Sequence, residues 1–207
     1  MNFDLLSMKK RSILLMKKRS AYLMSLLRVM LQIAGIILVV RTMNLHINWL
    51  IPVYIIVILL LGLFKLGFVD SMIKQAHEER SKFLGVFAGF YKKPLKAVIS
   101  IVIKQFILFL GFLLLYVPGI FAFYRLRFFY YELMKEDKSI VQCLKDSNDL
   151  MKGNCIELLK IDLSFMGWYI LNFVTVGIAS IYAKPFITIT YVEYYDYLKG
   201  KKEMFGN

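Results

Sequence analysis

Acidic residues are scarce in this chain: 14 Asp and Glu stand against 27 Lys and Arg, leaving a net charge of +13. Cysteine, histidine and proline are scarcer still, at two, two and four. Each shortage removes a class of function. Cys143 and Cys155 fall in or beside a segment expected in the reducing cytoplasm, so no disulfide is expected. His46 and His77 lie far apart, no Cys/His spacing resembles a metal site, and no metal or cofactor is expected. His77–Glu78–Glu79 lacks the second His that a zincin helix places four residues on. There is no Ser–His pair, no close carboxylate pair inside an apolar run and no phosphate-cradling glycine loop. No catalytic residue stands out, an ATPase is not expected, and a non-enzymatic role is the better reading.

What is present is apolar. Hydrophobic residues make up 59% of the 207, aromatics 15% and charged residues only 20%; mean hydropathy is +0.61. Too few charges remain to cover a soluble domain of this size, and a membrane protein is expected. The basic residues cluster between apolar runs of ~20 residues, the pattern that sets membrane topology. They therefore point to anionic lipid headgroups rather than to nucleic acid.

Hydropathy and charge together predict an all-α membrane protein of six spans arranged as three hairpins, at residues 21–40, 49–68, 98–117, 120–134, 156–175 and 178–197. Residues 1–20 carry Lys9–Lys10–Arg11 and Lys17–Lys18–Arg19 between short apolar patches, and read as an amphipathic helix on the inner leaflet. The first apolar run is long and no small-residue cleavage site follows it, so it is expected as a retained helix rather than a signal peptide. Arg28 in the first span and Lys65 near the inner end of the second are expected to reach the interface. Trp49 opens the second span as an interfacial anchor. Residues 69–97 hold six Lys and Arg, with Phe83, Leu84, Phe87, Phe90 and Tyr91 at helical spacing, and suggest a second interfacial helix. Asp137 is a candidate N-cap for a helix over Ser139–Lys152, with Gly153 as its stop. Nearly all loop charge falls on one side, which places both termini in the cytoplasm.

The third and fourth spans echo the fifth and sixth. Gly119–Ile120 followed by Tyr124 matches Gly177–Ile178 followed by Tyr182. With the two glycines aligned, Lys104 falls opposite Asp162, each about 22 Å along a helix from its turn. Either they form a buried ion pair or both reach the inner interface. Arg125, Arg127 and Lys184 are the deepest charges and all are positive. They are candidates for an anion or lipid-phosphate site; the alternative is that aromatic rings and Glu132 or Glu193 satisfy them.

A family resemblance adds to this reading. Val86–Phe90, Val117–Ile120, Lys145–Ser147, Leu150–Gly153, Asp162–Tyr169, Thr175, Gly177–Ile178, Pro185 and Tyr191–Tyr195 resemble, in order and spacing, the DUF975 family of bacterial integral membrane proteins. Lys184–Pro185–Phe186 departs from it, where a polar residue, Pro and Tyr would be expected. The resemblance implies a multi-pass protein of the bacterial cytoplasmic membrane and implies no reaction. It extends distantly to membrane regions attached to some bacterial glycerophosphodiester phosphodiesterases, which hints at a lipid-facing role.

The expectation is a non-enzymatic module that binds lipid or a membrane-protein partner, itself or another, as an accessory to export or an immunity-like protein. The alternative is a small transporter or channel subunit built on the paired hairpins.

Overall fold

The computed structural model describes residues 4–16, 19–45, 50–77, 83–92, 94–114, 116–135, 137–175 and 177–205. The expectations for Lys17–Lys18, His46, Trp49, Glu78–Glu79 and Val176 lie outside them. The described residues are helical: α1 (Leu5–Met16), α2 (Arg19–Leu45), α3 (Leu50–Ala76), α4 (Ala88–Tyr91), α5 (Pro94–Leu114), α6 (Tyr116–Arg125), α7 (Phe129–Lys135), α8 (Ile140–Met151), α9 (Cys155–Ser164), α10 (Met166–Val174) and α11 (Ser180–Phe205), with a tight 3-10 turn at Phe83–Phe87 before α4. No strand occurs among the described residues.

Three of these helices are long and apolar enough to cross a bilayer, at Ala21–Thr42, Ile51–Ala76 and Pro94–Leu113. Only 22–28% of each such stretch is buried inside the fold, so most of its apolar surface faces outward. The other expected spans take different forms. Residues 120–134 are not one helix: the chain breaks at Leu126–Phe128 between α6 and α7. Residues 156–175 break likewise at Phe165, between α9 and α10. The sixth expected span, 178–197, overlaps α11, which begins at Ser180, carries Glu193 and Asp196 within that span and runs on to Phe205. Apolar composition predicted length, but buried polar partners allow the backbone to turn inside an apolar run.

The second span is longer than expected. Helix α3 continues past Phe68 to Ala76, where the sequence turns polar. Asp70 is 4% exposed and bound by Lys92 at 2.6 Å and by Lys74 at 3.1 Å. Residues 69–97 are therefore not one interfacial helix. Their first part extends α3, and the 3-10 turn with α4 packs back on it. The packing is backbone on backbone: a Cβ added at Gly67 would overlap the Val86 carbonyl, and one at Gly89 the Leu63 carbonyl. Val86 and Ala88 are fully buried in that seam.

The N-terminal helix is docked on the bundle. Helix α1 packs on α11 and the end of α3. Gln75 donates to the Leu15 carbonyl at 2.8 Å, Thr190 to Ser12 Oγ at 3.0 Å, and Arg11 pairs with Glu193 at 3.2 Å. Its opposite face still exposes Leu6, Ile13 and Leu14. The densest core sits at this end, where Phe68, Met72, Phe128, Leu158, Ile161, Tyr194 and Tyr195 are buried to within 1% of full cover. His77 and Lys135 hold Asp196 there, at 3.1 and 2.8 Å.

Helix α8 is capped by Ser139, not Asp137: its hydroxyl accepts from Gln142 N at 3.2 Å. Gly153 ends it at φ +77°, a conformation that costs glycine little. Burial opposes the ionised form of Asp146 in this helix. Hydrogen bonds from Lys138 and Gln142 outweigh that and hold its carboxyl below the ordinary value. A depressed carboxyl adds stability above the unfolded value of ~4 and loses it as pH falls through the folded one.

Two tests follow from this packing. Gly67→Ala is expected to destabilise by about 1–3 kcal/mol through overpacking, read as a lowered melting temperature in detergent. Gly200→Ala, inside α11 and with open space around it, is expected instead to raise the melting temperature slightly, by about 0.5–1 kcal/mol of helix propensity. Asp146→Asn is expected to melt below the parent at pH 7, and melting curves taken at falling pH should converge below ~4.

Candidate functional site

The site arises where apolar helices are interrupted. A helix break frees carbonyls, and without water each must find another donor. At the α6–α7 break the Arg125 carbonyl accepts from Ser147 Oγ at 2.9 Å, and the Leu126 carbonyl from Lys104 Nζ at 2.8 Å. At the α9–α10 break the Ser164 carbonyl accepts from Lys9 Nζ at 3.2 Å, and the same ammonium lies 4.5 Å from the Phe165 ring centre. In α11, Pro185 has no N–H for the Ile181 carbonyl. Ser25 Oγ donates to that carbonyl instead. The α10–α11 turn is closed by Gly177, at φ +93°, whose N–H reaches the Asn172 carbonyl at 2.8 Å.

These interruptions aim cations inward. A cavity of about 220 Å³ is lined by Arg28 of α2, Lys65 of α3, Lys104 of α5, Arg127 of the α6–α7 break and Lys184 of α11. Tyr130, Tyr169, Tyr191, Gln105 and Thr188 supply further polar atoms to its wall. Lys104 Nζ sits 4.0 Å from the Tyr130 ring centre, Arg28 lies 4.9 Å from Phe68 and Arg127 4.4 Å from Tyr191. Such contacts soften the cost of a desolvated cation without cancelling its charge.

One carboxylate touches this group. Asp162 lies 3.6 Å from Arg127 Nη2 and accepts a short hydrogen bond from Tyr191 Oη, which in turn lies 3.3 Å from Tyr169 Oη. Among the described residues, no carboxylate lies within ion-pair distance of Arg28, Lys65, Lys104 or Lys184. Glu132 and Glu193 are engaged elsewhere, with Lys199 at 3.1 Å and Arg11 at 3.2 Å. They do not satisfy the deep cations.

Two of the three expected anion-site residues, Arg127 and Lys184, thus meet at one cavity. The third does not: Arg125 is exposed and hydrogen-bonds Asn148 at 3.2 Å. Arg125 and Arg127 flank a helix break, which turns them apart. The expected Lys104–Asp162 pair is not formed. The Leu126–Arg127 turn stands between them, Lys104 bonding the first residue's carbonyl and Asp162 the second's guanidinium.

Arg28 and Lys65, expected to reach the interface, both line the cavity. Their depth was recoverable once α3 ends at Ala76. Arg28, Lys65 and Lys104 lie seven, eleven and ten residues from Ala21, Ala76 and Pro94, or about 10–17 Å along their helices. With the second span ended at Phe68, Lys65 stood only three residues from its end.

By fold, then, this is a helical protein with three helices of membrane-crossing length and a cation-lined cavity beside them. Its C-terminal part, residues 112–202, matches the family model described as "Protein of unknown function (DUF975)". No curated protein and no solved structure matches the chain. The matched segment contains Ser147, Asp162, Gly177 and Tyr191, each with a local task at a break, a turn or Arg127. It excludes Arg28, Lys65 and Lys104.

Removing a break's donor should expose its cost. Ser25→Ala leaves the Ile181 carbonyl buried beside a proline, and is expected to destabilise by about 1–3 kcal/mol. Thermal melting of the detergent-solubilised protein checks this; an unchanged midpoint would show that the carbonyl finds another donor.

Proposed function

We propose that the protein is a non-enzymatic, multi-pass module of the bacterial cytoplasmic membrane, with both termini inside, that binds an anionic lipid headgroup in the cation-lined cavity. One observation carries this reading: five cations from five parts of the chain meet at one cavity with a single carboxylate beside them. Cations crowded around one cavity with a single counter-charge repel one another, and a bound anion relieves that cost. The outward apolar faces of α2, α3 and α5 support a bilayer setting. A role as an accessory to export or as an immunity-like protein, with a membrane-protein partner or a second copy, accords with this reading.

The same cavity supports a second reading, a small transporter or channel subunit, because a polar chamber lies among the helices of both hairpins. Asp162, which orients Arg127 and Tyr191, would then be needed for flux.

Native mass spectrometry of the gently extracted protein tests the first reading. An anionic lipid is expected to remain bound, to be lost from Arg127→Gln and Lys184→Gln, and to be kept by Arg125→Gln, whose side chain points elsewhere. A lipid-free parent protein argues against headgroup binding. Flux into proteoliposomes that vanishes in Asp162→Asn would then favour transport.

A further inference from the structure

We propose that the cavity selects a multiply charged phosphate group, a phosphomonoester or a diphosphate, over the singly charged phosphodiester of common anionic phospholipids. This rests on the anion-binding reading above and sharpens it.

Charge balance favours the more highly charged group. Of the five cations, only Arg127 has a carboxylate within ion-pair distance among the described residues. Arg28, Lys65, Lys104 and Lys184 share the cavity without one. A phosphodiester brings one negative charge and leaves most of that excess uncompensated. A phosphomonoester brings ≈ −1.5 to −2 at neutral pH, and a diphosphate brings more. Where water is scarce, the residual charge decides which anion is held.

The directions of the cations favour it too. The cations come from α2, α3, α5, the α6–α7 break and α11, so they surround the cavity rather than form a one-sided patch. A phosphodiester presents two terminal oxygens. A phosphomonoester presents three strong acceptors, and a diphosphate spreads still more, so each can meet donors on several walls at once. Arg28 and Arg127 offer planar forks and the lysines point charges, a combination suited to phosphate oxygens.

Size and access suit a headgroup. About 220 Å³ is below the ~300–1,000 Å³ of pockets that enclose a whole small molecule. It admits a phosphate headgroup and excludes the rest of a lipid. Phe123 and Tyr169 of the wall are 39% and 40% exposed, so the cavity opens on the flank of the bundle by α5, α6 and α10. A lipid can present its phosphate there with its chains left outside. A free inorganic anion has the same recognition chemistry, and the two sources are separated below.

The test uses the full chain in phosphatidylcholine nanodiscs doped with phosphatidic acid, a phosphomonoester, or phosphatidylglycerol, a phosphodiester. Bound lipid is counted by native mass spectrometry. We expect phosphatidic acid to be retained at least about tenfold better near neutral pH. The preference should shrink below ~6, where the monoester takes up its second proton. Lys65→Gln and Lys184→Gln should each reduce the preference, while Lys184→Arg, which keeps the charge, should preserve it. Melting curves identify any variant that fails to fold, and the lipid comparison on the parent protein stands without the variants. Inorganic pyrophosphate that displaces the lipid supports a soluble source of the same group; lipid retained against pyrophosphate supports a lipid-borne one. Equal retention of the two lipids at every pH overturns the selectivity and leaves anion binding intact. Retention of neither lipid, with no pyrophosphate bound, overturns both.

Discussion

Carbonyls freed inside apolar surroundings govern this structure. An apolar helix that continues satisfies its own backbone; one that stops or meets a proline must borrow donors from elsewhere. Here Lys104 of α5 serves Leu126, Lys9 of α1 serves Ser164, and Ser25 of α2 serves Ile181. Two of these bonds join residues 155 and 156 positions apart, and the third joins residues 22 apart across the α5–α6 turn. The interruptions therefore fasten α1, α2 and α5 to the C-terminal helices instead of loosening the bundle.

The same bonds shape the cavity. Lys104 is held at the wall by the carbonyl it serves, and the break it stabilises turns Arg127 inward and Arg125 outward. Pro185 follows Lys184 directly, and Ser25 lies one helical turn before Arg28 on α2, so the proline's donor and two of the cations are neighbours. Asp162 and Tyr191 then hold Arg127 against one side. A site of this kind is costly when empty, because it concentrates like charges with little water to screen them. That cost is the reason to read the cavity as a place for an anion rather than as a packing defect.

Much of the fold was legible from residue type alone. The apolar runs, the basic clusters and the order of family-like motifs in the second half all appear in the chain as read. The anion-site expectation names Arg127 and Lys184, which line one cavity, because deep cations stand out in an apolar run. It included Arg125 because a straight helix was assumed there. Lys65 escapes it when the second span ends before Asp70, although Asp70 and Lys74 continue α3; Arg28 escapes it because an arginine two turns from a span's end can reach the interface by its length alone. The Lys104–Asp162 pairing followed from equal depth, and depth alone does not say which residue stands between two charges.

The sequence by itself determined that this chain is helical, basic and too apolar for water to cover, since composition and periodicity depend only on which residues are present and how they are spaced. Only the tertiary structure decided where the helices break, which end of the bundle α1 covers, and which five cations share one cavity. Those outcomes rest on bonds such as Lys9 to Ser164 and Ser25 to Ile181, made between residues more than 150 positions apart. No local pattern encodes such a bond, because its strength comes from the burial that the folded chain creates around it.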